Sequence, residues 1–331
     1  MTADRTTPFR RNTELEALLG ELAGDLAPCE AALAARENAQ SLDRPLILVM
    51  GPLRSGTTLL LQWLGASGIA RTPTNLLSRF FATPIIGAKI QLLLTDPRYS
   101  FRDELADFGR GTDFSSENGK TRGTLAPNEF WYFWRRFLAD PGRDLWSDRE
   151  LHDTVDTGRL RAELNGIMRV FGAPLAAKGA LFNYNIPFVA QALDKVLFLH
   201  TRRDPAANVE SALAARERQL GSVHSWYSFD IPERAELAAL PPEDQVAGQI
   251  YYSHRAIERG LAGVGEANKL TVDYEDFCAD PARYHEEISG RLARLGHRVD
   301  EPYRGPAAFA ATRKDAAAPS PAIAHAVARF W

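Results

Sequence analysis

The sequence predicts an α/β protein, a parallel sheet between two layers of helices, and three observations carry that prediction. Four short runs, "PLILVM" (45–50), "APLAAKGALF" (173–182), "KVLFLH" (195–200) and "KLTVDY" (269–274), read as strands. The first is continuous and apolar, as a strand buried on both faces must be. Helical stretches follow these runs, and strands alternating with helices build βαβ units whose strands lie parallel. The third observation is local: "GPLRSGTTLL" after the first run has the order strand, glycine-rich turn, helix.

Composition narrows the class. The chain has 331 residues, of which 45% are hydrophobic and 24% charged, enough for one large α/β domain or two modest ones. A net charge of −3 argues against broad nucleic-acid binding. Cys29 and Cys278 match no metal-ligand spacing and cannot form a disulfide framework. The polar N-terminus lacks a signal-peptide core, and no apolar stretch approaches the length of a membrane span. The expectation is a soluble, cytoplasmic protein.

In chain order, residues 13–40 read as an amphipathic helix. "TELE" (Thr13–Glu16) fits a capping box, and Leu15, Leu18, Leu19, Leu22 and Leu26 recur at helical spacing. Such an element packs or self-associates, which leaves a homodimer open. A helix from Thr57 to about Ser67 follows the first strand. Asp204 and Pro205 mark a helix start after the third, as N-cap and first helical residue. Another helix follows Pro281. The expected parts are an N-terminal helical segment (1–44), an α/β domain (45–300) and a tail (301–331). Insertions at about 70–170 and 219–265, the second largely helical by pattern, are where a pocket would be built.

The turn at Gly51 is a phosphate-binding loop with one departure. In G-x-x-x-x-G-K-[ST], Gly51 and Gly56 have the right separation, but Thr57 stands at the lysine position and Thr58 at the hydroxyl position. Loop amides and the helix N-terminus still attract an anion. Arg54 places a cation inside the turn. That suits a 5′-phosphate bearing one reactive group better than a triphosphate with magnesium.

"GPLRSGTTLL" resembles the 5′-phosphosulfate loop of sulfotransferases that use 3′-phosphoadenosine 5′-phosphosulfate (PAPS). In that family the Arg54 position carries Lys or Arg, and Ser55, Gly56, Thr57 and Thr58 match the cradle of the 5′-phosphate. "LFLHTRRDPAANVESALAARE" is similar to the family's 3′-phosphate motif, with Arg203 and, eight residues later, Ser211. An arginine can grip such a phosphate with two hydrogen bonds. "VDYEDFCADP" (272–281) resembles a later family segment, and Lys178 matches a lysine near the transferring group. The resemblance implies a P-loop-like α/β/α fold with helical insertions forming an acceptor pocket. It also implies in-line sulfuryl transfer from PAPS to a hydroxyl or amine without a metal, and no ligand cluster such as HExxH is present.

The implied general base is missing. Relatives use a His two residues after the lysine, where Ala180 stands, or a Glu shortly after the loop, near which "RTPTNLLSRF" offers only Asn75. The candidates are therefore Glu129, expected in the first turn of a helix starting at Pro127 and Asn128, then Glu117, Asp113 and His224. Phe130, Phe133, Trp134 and Phe137 follow at core-facing spacing, leaving Trp131 and Tyr132 for another face. Late basic residues close over the 3′-phosphate in relatives. Arg313 and Lys314 match them, although Asp315 replaces the accompanying glycine. Phe80, Phe81, Trp131 and Trp226 suggest an acceptor with apolar or sugar-face surface, whether small molecule, lipid or carbohydrate. The alternatives are a P-loop kinase, which leaves Arg203 and Ser211 unexplained, and an inactive PAPS-binding protein.

Overall fold

The computed structural model describes residues 5–311 and 318–331, except 103, 106, 107, 109–113, 115 and 117–119. Helix α1 (Thr13–Ala34) precedes strand β1 (Leu46–Met50), and α2 (Thr57–Ala66) follows β1 directly. The first insertion holds α3 (Pro84–Thr95), α4 (Trp131–Arg135), α5 (Asp148–Thr154) and α6 (Thr157–Phe171). Then come β2 (Leu175–Lys178), α7 (Ile186–Ala192), β3 (Val196–Arg202) and α8 (Pro205–Leu220). Helices α9 (Arg234–Leu237) and α10 (Pro242–Ala262) lead to β4 (Lys269–Asp273), α11 (Tyr274–Ala279), α12 (Pro281–Arg294) and α13 (Pro321–Phe330).

All described strand pairs are parallel, in the order β2-β1-β3-β4. Side chains of β1 alternate between two cores because successive residues of a strand face opposite ways. Leu46, Leu48 and Met50 join Leu164, Ile167, Ile186 and Phe188 from α6 and α7. Ile47 and Val49 join Leu60 and Trp63 of α2 and Ile288 and Leu292 of α12. These are the expected three layers. The strand order runs one way from β1 to β2 and the other from β3 to β4. A crevice therefore opens at the carboxyl ends of β1 and β3, where ligands of such sheets sit.

Three local expectations are corrected. The N-cap of α1 is Asn12, whose Oδ1 accepts from Leu15 N at 3.0 Å. The box at Thr13 fails because Glu16 is claimed by Arg11, with bonds of 2.8 and 2.6 Å. The helix ends at Ala34, its leucines are at most half-buried, and Leu18 is 61% exposed. Its buried residue is Glu30, whose carboxylate accepts from Ile85 N and Ile86 N at the start of α3. A negative charge is favoured at that helix end. The run at 173–182 yields a four-residue strand followed by a 3₁₀ turn at Ala180–Phe182. Residues 221–233 are irregular apart from isolated turns, so the second insertion is helical mainly in α10. Among the described residues no helix is long and apolar enough to cross a membrane.

Candidate active site

Four carbonyls of the turn from Gly51 to Gly56 are engaged by side chains, and the Gly51 amide itself donates to Asn183 Oδ1 at 3.4 Å. Asn183 Nδ2 donates to Gly51 O at 2.9 Å, and Ser55 Oγ donates to Pro52 O at 2.9 Å. Asn208 Nδ2 donates to Leu53 O at 2.8 Å, and Arg203 Nη1 to Arg54 O at 3.1 Å. Helix α2 begins on Gly56 with no side-chain cap, so its first amides also face the turn. Backbone N–H groups and a helix N-terminus aimed at one place make an anion cradle.

Two glycines have no substitute there. A Cβ on Gly51 would lie 2.3 Å from Thr201 Oγ1, and one on Gly56 would lie 2.3 Å from the Tyr274 ring. Gly56 also has φ +93°, a left-handed conformation. The fully buried Ser55 hydroxyl is spent on Pro52 and, at 2.9 Å, on Thr201, so only its amide is left for a ligand.

The two sequence motifs meet around this turn. Arg54 sits at φ +62°, an uncommon state for a side-chain-bearing residue, and its Nε donates to Ser211 Oγ at 3.1 Å. Burial lowers the Arg54 pKa from the ordinary guanidinium value. The Arg203 guanidinium lies 4.9 Å from the centre of the Tyr274 ring, the same ring that packs under Gly56. Tyr274 therefore buttresses both motifs, which gives the segment at 272–281 a function beyond helix entry. Arg203 also borders a cavity of about 500 Å³ beside Tyr251, His254 and Trp331. No residue of 51–58 lines that cavity, so it is separate from the cradle.

On the other side of the turn, buried Lys178 at the end of β2 donates to Thr58 Oγ1 at 2.8 Å and to Glu129 Oε1 at 2.8 Å. Glu129 precedes α4 instead of occupying its first turn. Asn128 is locked before the helix can start: its N–H bonds Pro73 O, its Nδ2 bonds Asn75 Oδ1, and its Oδ1 accepts from Phe130 N. Phe130 then turns left-handed at φ +56° and caps α4. Asn75 thus holds the segment that presents the Glu129 carboxylate.

Glu129 also accepts from the Trp131 indole and lies 3.5 Å from Lys120 Nζ. Burial alone raises its pKa, but Lys178, Lys120 and the indole outweigh it and hold the carboxyl at about 2. Because the folded pKa is depressed, the ionised form stabilises the fold above the unfolded pKa, and that stabilisation is lost as pH falls towards 2. The melting-temperature gap between wild type and Glu129→Gln should hold steady above about pH 5 and narrow below it. A gap that stays level into the acid range would contradict this.

The remaining expected residues scatter. His224 is exposed on the loop after α8. Glu117, Asp113, Arg313 and Lys314 lie outside the described residues. Of the expected aromatic residues, Trp131 bonds Glu129 and packs on Phe229 at 4.4 Å, Phe81 packs on Tyr132 at 5.3 Å, and Trp226 Nε1 donates to Phe229 O. Among the described residues no group of three or more His, Cys, Asp or Glu could hold a metal ion. Sequence reasoning missed Asn183 and Asn208, because a buried asparagine bonding a distant carbonyl leaves no periodic or motif signal.

Residues 45–294 match the family described as "Sulfotransferase family". Among solved structures, sulfotransferase STF9 from Mycobacterium avium is similar, with 17% identity and a TM-score of 0.53. That match covers 90% of this chain and 79% of the other. Sulfotransferase STF1 from Mycobacterium tuberculosis H37Rv aligns at 15% identity and a TM-score of 0.49, over 83% of this chain and 72% of that one. None of the curated proteins matches the sequence significantly.

Proposed function

The chain belongs to the sulfotransferase family, and from that premise we propose that it transfers the sulfuryl group of PAPS to a hydroxyl or amine of a small-molecule, lipid or carbohydrate acceptor. One observation supports the donor above the rest: Arg203 and Ser211, about 150 residues after the turn, both bond Arg54 beside an uncapped helix N-terminus, Arg203 at its carbonyl and Ser211 at its guanidinium. The cradle suits a 5′-phosphate, since carbonyls of the turn are engaged by side chains and the two glycines let the backbone pack closely on Thr201 and Tyr274. Arg203 and Ser211 supply the donors that a 3′-phosphate needs. Arg313 and Lys314 would add charge on that side.

PAPS supplies an activated sulfur: the acceptor oxygen or nitrogen bonds to it as the S–O bond to the 5′-phosphate breaks. Thr57, Thr58 and the loop amides hold the 5′-phosphate. Arg54 and Lys178 face the charge that grows on the oxygen left behind. Glu129 takes the acceptor's proton. Its carboxylate is a weak base while Lys178 holds it, and turning Lys178 towards the donor removes the main cation that keeps its pKa down. Positioning and charge stabilisation then carry the step, as in phosphoryl transfer.

Calorimetry with 3′-phosphoadenosine 5′-phosphate (PAP), 5′-AMP and ATP–magnesium tests the donor. Wild type should prefer PAP to 5′-AMP by about 10-fold or more, and Arg203→Ala should remove that preference. Equal affinity for PAP and 5′-AMP in the wild type would overturn the reading. A preference for ATP–magnesium would return the loop to the kinases.

A further inference from the structure

The two oxygens of the Glu129 carboxylate keep different company. Oε1 accepts from Lys178 Nζ at 2.8 Å, and the same ammonium donates to Thr58 at the start of α2, so one cation separates this oxygen from the cradle. Oε2 accepts from the Trp131 indole and lies 3.5 Å from Lys120 Nζ. Among the described residues Lys178 and Lys120 are the cations paired with the carboxylate, while Arg54 of the turn and the Tyr227 phenol also feel its charge. Lys120 is more than half exposed, so solvent screens it. Once Lys178 turns to the donor, the indole is the partner that still holds the carboxylate in a fixed direction.

The indole itself is held. Trp131 is the first residue of α4, set by the left-handed Phe130 before it. Its ring packs on Phe229 at 4.4 Å, and the Arg135 guanidinium, one helical turn on, lies 5.7 Å from its centre. Phe229 belongs to the irregular segment between α8 and α9. Two donors pin its carbonyl, Trp226 Nε1 and Gln249 Nε2, each at 3.0 Å. Gln249 is 1% exposed. A segment without regular structure is thus fixed at the residue that meets Trp131.

We propose that Trp131 is the positioning residue of the general base: its indole N–H holds Oε2, Phe229 braces the ring, and Oε1 is left to take the acceptor's proton as the acceptor oxygen or nitrogen bonds to sulfur. This rests on the reading of Glu129 as the base given above. Proton transfer needs hydrogen-bond reach before it needs a matched pKa. A neutral N–H directs the carboxylate while lowering its basicity less than a second buried cation would.

The release of PAP from saturating PAPS, with water as acceptor, is followed against pH, so that the profile reports the enzyme–donor complex. Trp131→Phe keeps a ring on Phe229 and removes the N–H. Its maximal rate should fall by about 10-fold, with PAP affinity unchanged. The acid limb of its profile should move up by about one pH unit, because the ionised carboxylate has lost a hydrogen bond that favoured it. Phe229→Leu keeps the N–H and loosens the ring, so it should lower the rate by a smaller factor and leave the limb in place. A Trp131→Phe protein with the wild-type rate and limb would overturn the proposal. A lower rate with the limb unmoved, or with PAP affinity lost in parallel, would overturn it too, because the indole then serves only the fold. Two results would instead strike the underlying reading: a wild type that binds no PAP, or a Glu129→Gln protein that keeps the full rate and the acid limb. The failures are therefore distinguishable.

Discussion

Lys178→Ala is expected to slow sulfuryl transfer by about two to three orders of magnitude while leaving the affinity for PAP within a few-fold of wild type. The release of PAP from saturating PAPS, with water or a screened alcohol as acceptor, gives the rate. The size of the effect follows from burial: a cation in a site shielded from water acts on developing charge far more strongly than one in solvent. The ammonium also bridges two groups, Thr58 on the donor side and Glu129 on the acceptor side. Removing it takes away one donor and leaves a carboxylate with less compensation, so the Glu129 pKa should rise as well. Lys178→Arg should not restore the rate, because a planar guanidinium cannot reproduce both bonds of a compact ammonium. Full activity in Lys178→Ala would dismiss the assignment of both residues.

Gly56→Ala carries the second large effect. The left-handed backbone at φ +93° costs an alanine about 1–2 kcal/mol, and the added methyl meets the Tyr274 ring at 2.3 Å. The ring is confined between the turn and Arg203, so overpacking adds about 1–3 kcal/mol. The sum is felt at the cradle, and PAP binding should weaken by about 10-fold or more together with a lower melting temperature. Gly68→Ala is the control. It also sits at positive φ, +78°, but nothing lies within 4 Å of its added methyl. It should show the backbone cost alone and bind PAP as wild type does. Equal binding by the two variants would mean that Tyr274 yields and that the cradle tolerates a side chain.

The parts of this molecule that could be read from sequence are those set by local chemistry at fixed offsets. A continuous apolar run gave β1, and a glycine six positions into the turn marked the end of the cradle. Asp204 before Pro205 marked the start of α8, where the Asp204 side chain does accept from Ala207 N. Arg203 and Ser211 both reach Arg54 because one strand end and the first turns of one helix carry them. The acceptor side was less legible because its geometry depends on contacts between distant segments. Glu129 is placed by Asn75 through Asn128 and by a left-handed Phe130, whereas the local pattern favoured an ordinary helix start at Pro127. The capping error at α1 has the same character: Asn12 and Thr13 are both good caps, and Arg11 decides between them by taking Glu16.

The parallel order of the sheet has a consequence for how the chain is made. Leu46 on β1 pairs with Leu175 on β2 and with Val196 on β3, partners that emerge from the ribosome well over a hundred residues later. At synthesis rates of about 5–20 residues per second, the central strand waits on the order of ten seconds, unpaired and wholly apolar. Pairings this remote in sequence are slow to form, because a long loop must close before any contact rewards it. The anion cradle inherits the delay: its carbonyls are held by Asn183, Arg203 and Asn208, all of them downstream of that wait. Nascent chains that stop short of α8 would carry the glycine-rich turn without the geometry that makes it a binding site. Their exposed first strand makes them substrates for chaperones.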